Sequence, residues 1–215
     1  PNVVARKRMF GRNRWPDGVP DLPSTAMEYL DHMGRLATSL LPVWSRALGL
    51  PDDFFAPYFD RAHFYTQMIH YPVKPGLATD ETGHGAHSDT SFNTFLPAAT
   101  EPGLQVMDTD GTWIDPEIPE GSIVVNFGQY LERWSNGVVR ATPHRVIPPT
   151  ENDRYSLAFF VCPNLNAIGT CLPSCQGSDN PPKYAPESFW QFHTEYMSRV
   201  YPHFEERWEN EAPPD

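Results

Sequence analysis

Two short stretches, far apart in the chain, carry side chains that could bind a metal together. The first is His87-Ser88-Asp89, and the second contains His144. In an extended strand, residues two apart point to the same face, so His87 and Asp89 are predicted to lie side by side. Two imidazoles and one carboxylate on one side of a metal form the facial triad that leaves coordination positions open on non-haem Fe(II). The sequence therefore predicts His87, Asp89 and His144 as metal ligands and as the catalytic centre.

A second group of residues is suited to binding a carboxylate. Arg154 precedes Ser156 by two positions, in a run that continues to Phe160 and reads as a strand. On such a strand Arg154, Ser156 and Phe160 share one face. A planar guanidinium beside a hydroxyl can bind a carboxylate in bidentate fashion, which a lysine does less specifically. The predicted site therefore has a metal end and a carboxylate end, with Phe160 as a wall.

These residues resemble the isopenicillin N synthase-like family of Fe(II)/2-oxoglutarate-dependent dioxygenases. The resemblance begins with His87-x-Asp89, His144 and Arg154-x-Ser156. Further segments are similar to family motifs in the same order along the chain: Met68-Ile69-His70-Tyr71-Pro72, Gly103-Leu104-Gln105-Val106, Gly121-Ser122-Ile123-Val124-Val125-Asn126-Phe127-Gly128 and His144-Arg145-Val146. A lone His-x-Asp is a weak signal, whereas several ordered motifs are a strong one.

The resemblance implies a co-substrate and a reaction. Fe(II) would be held by the triad, and 2-oxoglutarate would chelate it with the keto-acid end while Arg154, Ser156 and Tyr71 hold its far carboxylate. With O₂ the enzyme would release succinate and CO₂, and a small organic substrate would be hydroxylated, desaturated or cyclised. The protein is thus expected to be an oxidoreductase.

Four residues are predicted to wall the substrate pocket. If the ligand strand runs from His87 to Leu96, alternation places Asn93 and Phe95 on the inward face together with the ligands. Phe160 joins them from the Arg154 face. Trp15 is included because the resemblance places its neighbourhood beside the mouth of the active site. These walls indicate a small organic substrate with an apolar part.

The remaining pattern predicts the fold class and the domain organisation. Apolar residues recur at helical spacing from Thr25 to Leu48, Thr25 and Glu28 form a potential capping box, and a last helix is expected over 186–201. Between these helices, short strands with regular turn signals indicate a mainly β fold. We expect one domain over 1–215, a double-stranded β-helix (jelly roll, cupin-like) with flanking helices and a catalytic β-core at 63–162. Because the resembling family carries a longer N-terminal region, part of it is expected to be missing here.

Composition limits the partners. The chain of 215 residues has 27 acidic and 16 basic side chains, a net charge of −11 with neutral histidines. No basic run is long enough to follow a phosphate backbone, so nucleic acid is not expected as a partner. No apolar run approaches the roughly 20 residues of a membrane span, so no membrane association is expected. The three cysteines read as reduced thiols, which favours a cytoplasmic protein. The oligomeric state stays open.

Two alternatives remain. Isopenicillin N synthase and aminocyclopropane carboxylate oxidase keep the Arg-x-Ser pair, so the chain could be a 2-oxoglutarate-independent oxidase of the same family. Because two imidazoles and a carboxylate also ligate zinc, a non-catalytic metal-binding β-barrel module is the other alternative. A structural zinc site has no use for the Arg154, Ser156 and Tyr71 cluster, which argues against the module.

Overall fold

The computed structural model describes residues 13–74 and 82–200, which hold three α-helices and ten β-strands. The helices are α1 (Leu22–Ala47), α2 (Gln129–Trp134) and α3 (Phe189–Val200). The strands are β1 (His63–Tyr71), β2 (His84–His87), β3 (Asn93–Pro97), β4 (Leu104–Met107), β5 (Trp113–Ile114), β6 (Ile123–Phe127), β7 (His144–Val146), β8 (Arg154–Cys162), β9 (Ile168–Gly169) and β10 (Glu187–Ser188). None of the helices in these ranges combines the length and the apolar character that crossing a bilayer needs.

Eight of the strands form two four-stranded antiparallel sheets. The first sheet has the order β1-β8-β3-β6, and the second has the order β2-β7-β4-β5. Consecutive strands often change sheet: β2 lies in the second sheet, β3 in the first and β4 in the second again. This exchange between two antiparallel sheets is the jelly-roll arrangement, so the predicted mainly β double-stranded β-helix with flanking helices is confirmed.

Helix α1 covers the outer face of the first sheet. The Tyr29 ring meets Phe159 edge-on with centroids 6.4 Å apart, and Trp44 meets Phe127 at 5.4 Å. The helix begins at Leu22, three residues before the predicted start, and its N-cap residue Asp21 makes no side-chain capping bond. The predicted Thr25 capping box is therefore wrong. The earlier start is favourable because a proline in the first turn, here Pro23, has no amide hydrogen that a helix would leave unpaired.

Strands β1 and β8 form the longest pairing and order the interior. They pair without interruption over nine residues each, with Tyr71 opposite Arg154 and Tyr65 opposite Phe160. Directly opposite residues in an antiparallel pair point to the same face. The inward row of β8 therefore runs from Arg154 through Ser156 to Phe160, as the sequence predicted.

The predicted strand from His87 to Leu96 does not exist as one element. Strand β2 ends at His87 in the second sheet, residues 88–92 are not in a strand, and β3 begins at Asn93 in the first sheet. The chain changes sheets in this segment, so alternation counted from His87 does not continue into β3. Phe95 instead pairs with Phe159 and Val125 and lies fully buried in the hydrophobic core.

Candidate active site

The structure brings His87, Asp89 and His144 together. His87 ends β2 and lies opposite His144, the first residue of β7, in the second sheet. Asp89 follows in the segment that crosses to the first sheet. Its Oδ1 lies 3.7 Å from the Nε2 atoms of both His87 and His144. Among the residues described, this is the group whose ligand atoms, within 4.8 Å of one another, could hold one metal ion.

Both imidazoles are oriented through their other ring nitrogen. Nδ1 of His87 lies 2.8 Å from the carbonyl oxygen of Gly85, and Nδ1 of His144 lies 3.1 Å from that of Thr142. A carbonyl oxygen can only accept, so Nδ1 carries a hydrogen, and Nε2, which faces Asp89, is the ring atom available to bind a metal. Burial lowers the pKa of His87, and His144 lowers it further, while the Gly85 carbonyl and Asp89 act in the opposite direction. A neutral imidazole is the form that binds a metal.

The two oxygens of Asp89 have different surroundings. Oδ2 accepts hydrogen bonds from Thr94 Oγ1 at 2.6 Å and from Asn126 Nδ2 at 2.8 Å. Because the Thr94 hydrogen is used there, Ser91 Oγ, at 2.9 Å, must donate to Thr94. Oδ1 is left to face the imidazoles. Sequence reasoning missed Thr94 and Asn126; the amide of Asn126 inside the apolar run of β6 was the available signal.

Replacing Thr94 with valine is expected to weaken Fe(II) binding by roughly 10-fold to 100-fold, the usual cost of losing a hydrogen bond to a metal ligand. Valine keeps the shape and removes the donor to Asp89. The matched control is Thr66→Val, because Thr66 Oγ1 donates to the Ala158 carbonyl at 2.8 Å on the same sheet. Anaerobic competition with a metal-sensitive dye gives the affinities. Equal Fe(II) affinity in the two variants would contradict the assigned support of Asp89.

Arg154, predicted to bind a carboxylate, is deeply buried. It is 2% exposed, its Nε donates to the Glu101 carbonyl at 3.1 Å, and its guanidinium carbon lies 5.0 Å from the ring centre of Tyr71. Its Nη1 is buried and has no hydrogen-bond partner. Burial lowers the pKa of Arg154, and Tyr71 acts against this. A buried charged group with an unused donor is costly unless an acceptor arrives, so the geometry favours an anionic ligand.

The surroundings of Arg154 fix its side chain. Ser156, on the same inward row, and Tyr71, opposite Arg154, are both buried. Gly103 has a φ of +128°, and a Cβ there would lie 2.6 Å from the Ile147 carbonyl oxygen and 3.7 Å from Arg154. Only glycine permits this approach, which brings the Glu101–Gly103 backbone against the arginine. Arg154, Ser156 and Tyr71 are thus brought together as the resemblance implied.

Beside the metal-ligand group lies a cavity of about 410 Å³. His87, Asp89 and Phe160 line it, as predicted for Phe160. Asn93 and Phe95 do not line it: both are buried, and Phe95 belongs to the core beneath α1. Their predicted place in the pocket is corrected by the change of sheet after His87. Trp15 is half-buried and does not line this cavity either. Helix α3, the expected last helix, supplies further walls: His193, Tyr196, Met197 and Val200.

Besides His87, the histidines His63, His84 and His193 line the cavity, and His63 and His193 lie close to each other. The rings of His63, at the start of β1, and His193, on α3, have centroids 6.4 Å apart. Burial lowers the pKa of His193 to about 4, and burial together with the nearby His193 lowers the pKa of His63 to about 4. Both imidazoles are therefore neutral at neutral pH.

These two histidines make the fold sensitive to acid. Unfolded imidazoles titrate near 6.5, so between about pH 6.5 and about pH 4 the unfolded chain binds more protons and stability falls as the pH falls. When the pH is lowered from about 7.5 to about 5, the titration of His193 alone should reduce the free energy of unfolding by about 2 kcal/mol. Urea unfolding at both pH values should show a loss smaller by this amount in His193→Phe. The control His32→Phe, at an exposed position of α1, should lose as much as wild type. An unchanged loss in His193→Phe would contradict the prediction.

Comparison with known proteins identifies a family model and relatives that this chain resembles. A family model, the 2OG-Fe(II) oxygenase superfamily, matches residues 63–163. The 2-oxoglutarate-Fe(II) type oxidoreductase hxnY of Emericella nidulans is 35% identical over 192 residues, 86% of this chain and 55% of that protein. The 1-aminocyclopropane-1-carboxylate oxidase of Musa acuminata is 31% identical over 204 residues, 92% of this chain and 66% of that protein. The chain thus spans little more than half the length of hxnY.

Proteins of known structure have the same fold as this chain. A full-length protein of Neurospora crassa, solved in complex with alpha-KG, superimposes with a TM-score of 0.83 at 26% identity, covering 89% of this chain and 62% of that one. The same protein was also solved with alpha-KG and thymine, which gives a TM-score of 0.81 at 26% identity over 87% of this chain and 60% of that one. The fold of this chain is therefore shared with a protein that has been solved in complex with alpha-KG.

Proposed function

The chain belongs to the 2OG-Fe(II) oxygenase superfamily, and from this premise we propose that it forms the catalytic part of an Fe(II)- and 2-oxoglutarate-dependent dioxygenase acting on a small organic substrate. Residues 63–162 are the catalytic core in this proposal. The observation that carries it is the coexistence, within one barrel, of the His87, Asp89 and His144 group and a buried arginine with an unused donor.

The donor set fits Fe(II). Two neutral imidazole nitrogens and one carboxylate oxygen, all on one side of the site, are the ligands of non-haem Fe(II) oxygenases. The 3.7 Å separations between Asp89 Oδ1 and the two Nε2 atoms are below about 4.2 Å, twice a typical metal-to-nitrogen bond. One ion can therefore contact all three atoms after small adjustments. His87, Asp89 and His144 would hold it.

The carboxylate end fits 2-oxoglutarate. The unpartnered Nη1 of Arg154 gains an acceptor when a carboxylate binds, and the paired charge offsets the cost of burying both groups. Tyr71 and Ser156 lie on the same inward face and would add hydroxyl groups. Titration to a charged tyrosinate is disfavoured, because burial raises the pKa of Tyr71 and Arg154 only partly opposes this. Tyr71 therefore remains a hydrogen-bond donor.

The roles of the chain's own groups follow from these positions. When bound, Fe(II) with 2-oxoglutarate and O₂ supplies the oxidising equivalents, and succinate and CO₂ are released. Thr94 and Asn126 hold Asp89 so that Oδ1 stays directed at the imidazoles. Arg154 anchors the co-substrate, and Phe160 with α3 forms a wall that excludes water from the substrate.

A 2-oxoglutarate-independent oxidase is the second candidate, supported by the similarity to the Musa acuminata oxidase. Arg154 and Ser156 do not separate the two readings, because that class keeps the same pair. Consumption of 2-oxoglutarate separates them. The predictions of a cytoplasmic location and of no nucleic-acid partner remain predictions.

The experiment measures succinate formed from 2-oxoglutarate by protein loaded anaerobically with Fe(II) and then exposed to O₂. It is run with and without a panel of small aromatic amides, phenols and acids. We expect succinate that depends on Fe(II), on O₂ and on 2-oxoglutarate, and that rises with a suitable panel member. Protein that binds Fe(II) but never consumes 2-oxoglutarate would reject the dioxygenase and favour the oxidase or the binding module.

A further inference from the structure

The substrate side of the cavity is aromatic and holds no fixed cation. Tyr65 stacks on Phe160 with centroids 4.6 Å apart and ring planes 12° apart, and this pair forms one wall. Tyr196 and Met197 of α3 add to the lining. In the part of the chain that the structure describes, no lysine or arginine lines this cavity. Apart from the metal-ligand group, a carboxylate substrate would therefore find no lysine or arginine among the described lining residues, whereas a planar uncharged molecule would find flat surfaces.

One polar atom in this wall lacks a partner. His193 is 7% exposed, lines the cavity, and its Nδ1 is buried without a hydrogen-bond partner. Its ring is held against Phe189, with centroids 5.4 Å apart and planes 24° apart. Buried polar atoms without partners are rare because leaving one unsatisfied costs free energy, so an unsatisfied nitrogen on a side chain that lines a cavity is a candidate partner for a ligand group.

The charge of the side chains in this wall limits the kinds of ligand that they can bind. Burial lowers the pKa of His193 to about 4, so at neutral pH it offers one donor and one acceptor and no charge. The neighbouring His63 is neutral for the same reason. Burial also raises the pKa of Tyr65, which keeps its hydroxyl neutral. A neutral imidazole binds a carbonyl, an amide or a ring N–H without the desolvation cost that a charged group would add.

We infer that His193 binds the substrate, through a hydrogen bond that an uncharged amide N–H on a planar ring donates to its Nδ1, while the ring lies against the Tyr65 and Phe160 wall. The inference rests on the proposed function, since it names the substrate class of that same site. It assigns substrate choice to α3, whereas the metal and co-substrate positions belong to the two sheets.

The test uses two probes of nearly equal shape, 2-naphthamide and 2-naphthoate, and the chain alone. Equilibrium dialysis gives their affinities without iron, 2-oxoglutarate or turnover, so the result does not depend on whether succinate is formed. In wild type we expect the amide to bind at least about tenfold more tightly than the carboxylate, because the amide N–H can donate a hydrogen bond to Nδ1 and the ionised carboxylate has no hydrogen to donate. The ¹⁵N signal of the His193 imidazole, assigned by its loss in His193→Phe, should shift on adding the amide.

Two variants separate hydrogen bonding from packing. His193→Phe keeps a ring and removes the nitrogen, so the amide should bind about tenfold more weakly while the carboxylate is unchanged. His193→Asn keeps an amide group near the Nδ1 position and should restore most of the affinity. Thermal unfolding of each variant establishes that it is folded. The ¹⁵N shift is measured on the wild-type protein, and a variant is needed only to assign the signal.

Three results would overturn the inference. They are equal affinity of the amide and the carboxylate, unchanged amide binding in a folded His193→Phe, and no amide binding at millimolar concentration. None of these touches the dioxygenase proposal, which fails only if 2-oxoglutarate is not consumed. Conversely, the protein could show amide selectivity that depends on His193 and yet form no succinate. That result would support the role of His193 in binding and reject the dioxygenase activity.

Discussion

Replacing His144 with alanine is expected to weaken Fe(II) binding by more than about 100-fold, beyond the range seen for residues that only support a ligand, and to abolish succinate formation. The variant removes one of the two imidazoles and leaves Asp89 Oδ1 with a single nitrogen 3.7 Å away, that of His87. A hard carboxylate and one imidazole do not form the facial site that Fe(II) requires. Anaerobic dye competition measures the affinity, and succinate release measures turnover.

His84 provides a matched control for His144. The rings of His84 and His144 flank His87 at nearly equal distances, with centroids 4.2 Å and 4.3 Å from it. Of the two, His144 alone belongs to the group whose ligand atoms converge. His84→Ala should therefore keep Fe(II) affinity within about threefold, a change of well under 1 kcal/mol. If His84→Ala lost as much affinity as His144→Ala, the assignment of the ligands would be wrong.

The second large effect is expected at Arg154. Arg154→Ala should raise the dissociation constant of 2-oxoglutarate by about 100-fold, close to 2.7 kcal/mol, because a buried charge-assisted pair is lost. Arg154→Lys should fall between wild type and the alanine variant, since an ammonium keeps the charge but not the planar fork. Calorimetric titration with 2-oxoglutarate, using protein loaded with a redox-inactive divalent metal, gives the constants.

Arg145 matches Arg154 in the kind of contacts it makes without sharing its position. Its guanidinium lies 4.3 Å from the ring centre of Trp113, and its Nε donates to Gln105 Oε1 at 2.8 Å. Arg145→Ala therefore removes the same kind of cation–π and hydrogen-bond contacts from the second sheet. We expect it to leave 2-oxoglutarate affinity unchanged. Equal losses in the alanine variants of Arg154 and Arg145 would indicate general damage to the barrel and remove the case for a carboxylate anchor.

The inward row of β8 was predictable because it depends on local geometry alone. Nine residues pair in one unbroken register with β1, so two-residue alternation places Arg154, Ser156 and Phe160 on one face. His87 and Asp89 were expected to meet for the same reason, yet Asp89 lies beyond the end of β2. Their side chains still converge because the crossing segment is held by hydrogen bonds, including Gln129 N to the Asp89 carbonyl at 2.7 Å. The expected proximity was right, and the expected strand was wrong.

Asn93 and Phe95, two of the misplaced residues, share one physical cause. Asn93 and Phe95 were assigned by alternation across a segment where the chain changes sheets, and sequence alone does not mark that change. Thr94, one position away, is the inward residue and bonds Asp89. The position of His193 in the cavity wall depends on how α3 packs over the barrel, which the expected last helix alone did not specify. Residues that act across two sheets, or between a helix and a sheet, require the tertiary structure.

The unbroken pairing of β1 with β8 also sets a length scale for inhibitors. From the Tyr71 and Arg154 pair to the Tyr65 and Phe160 pair there are three steps of two residues, or about 20 Å at the rise of an antiparallel strand. An anionic head group at Arg154 would gain affinity from its unpartnered Nη1 donor. Selectivity would have to come from the opposite end, beside α3. A compound that joins both ends through a linker of matching length could therefore tune potency and selectivity separately, with one chemical group for each.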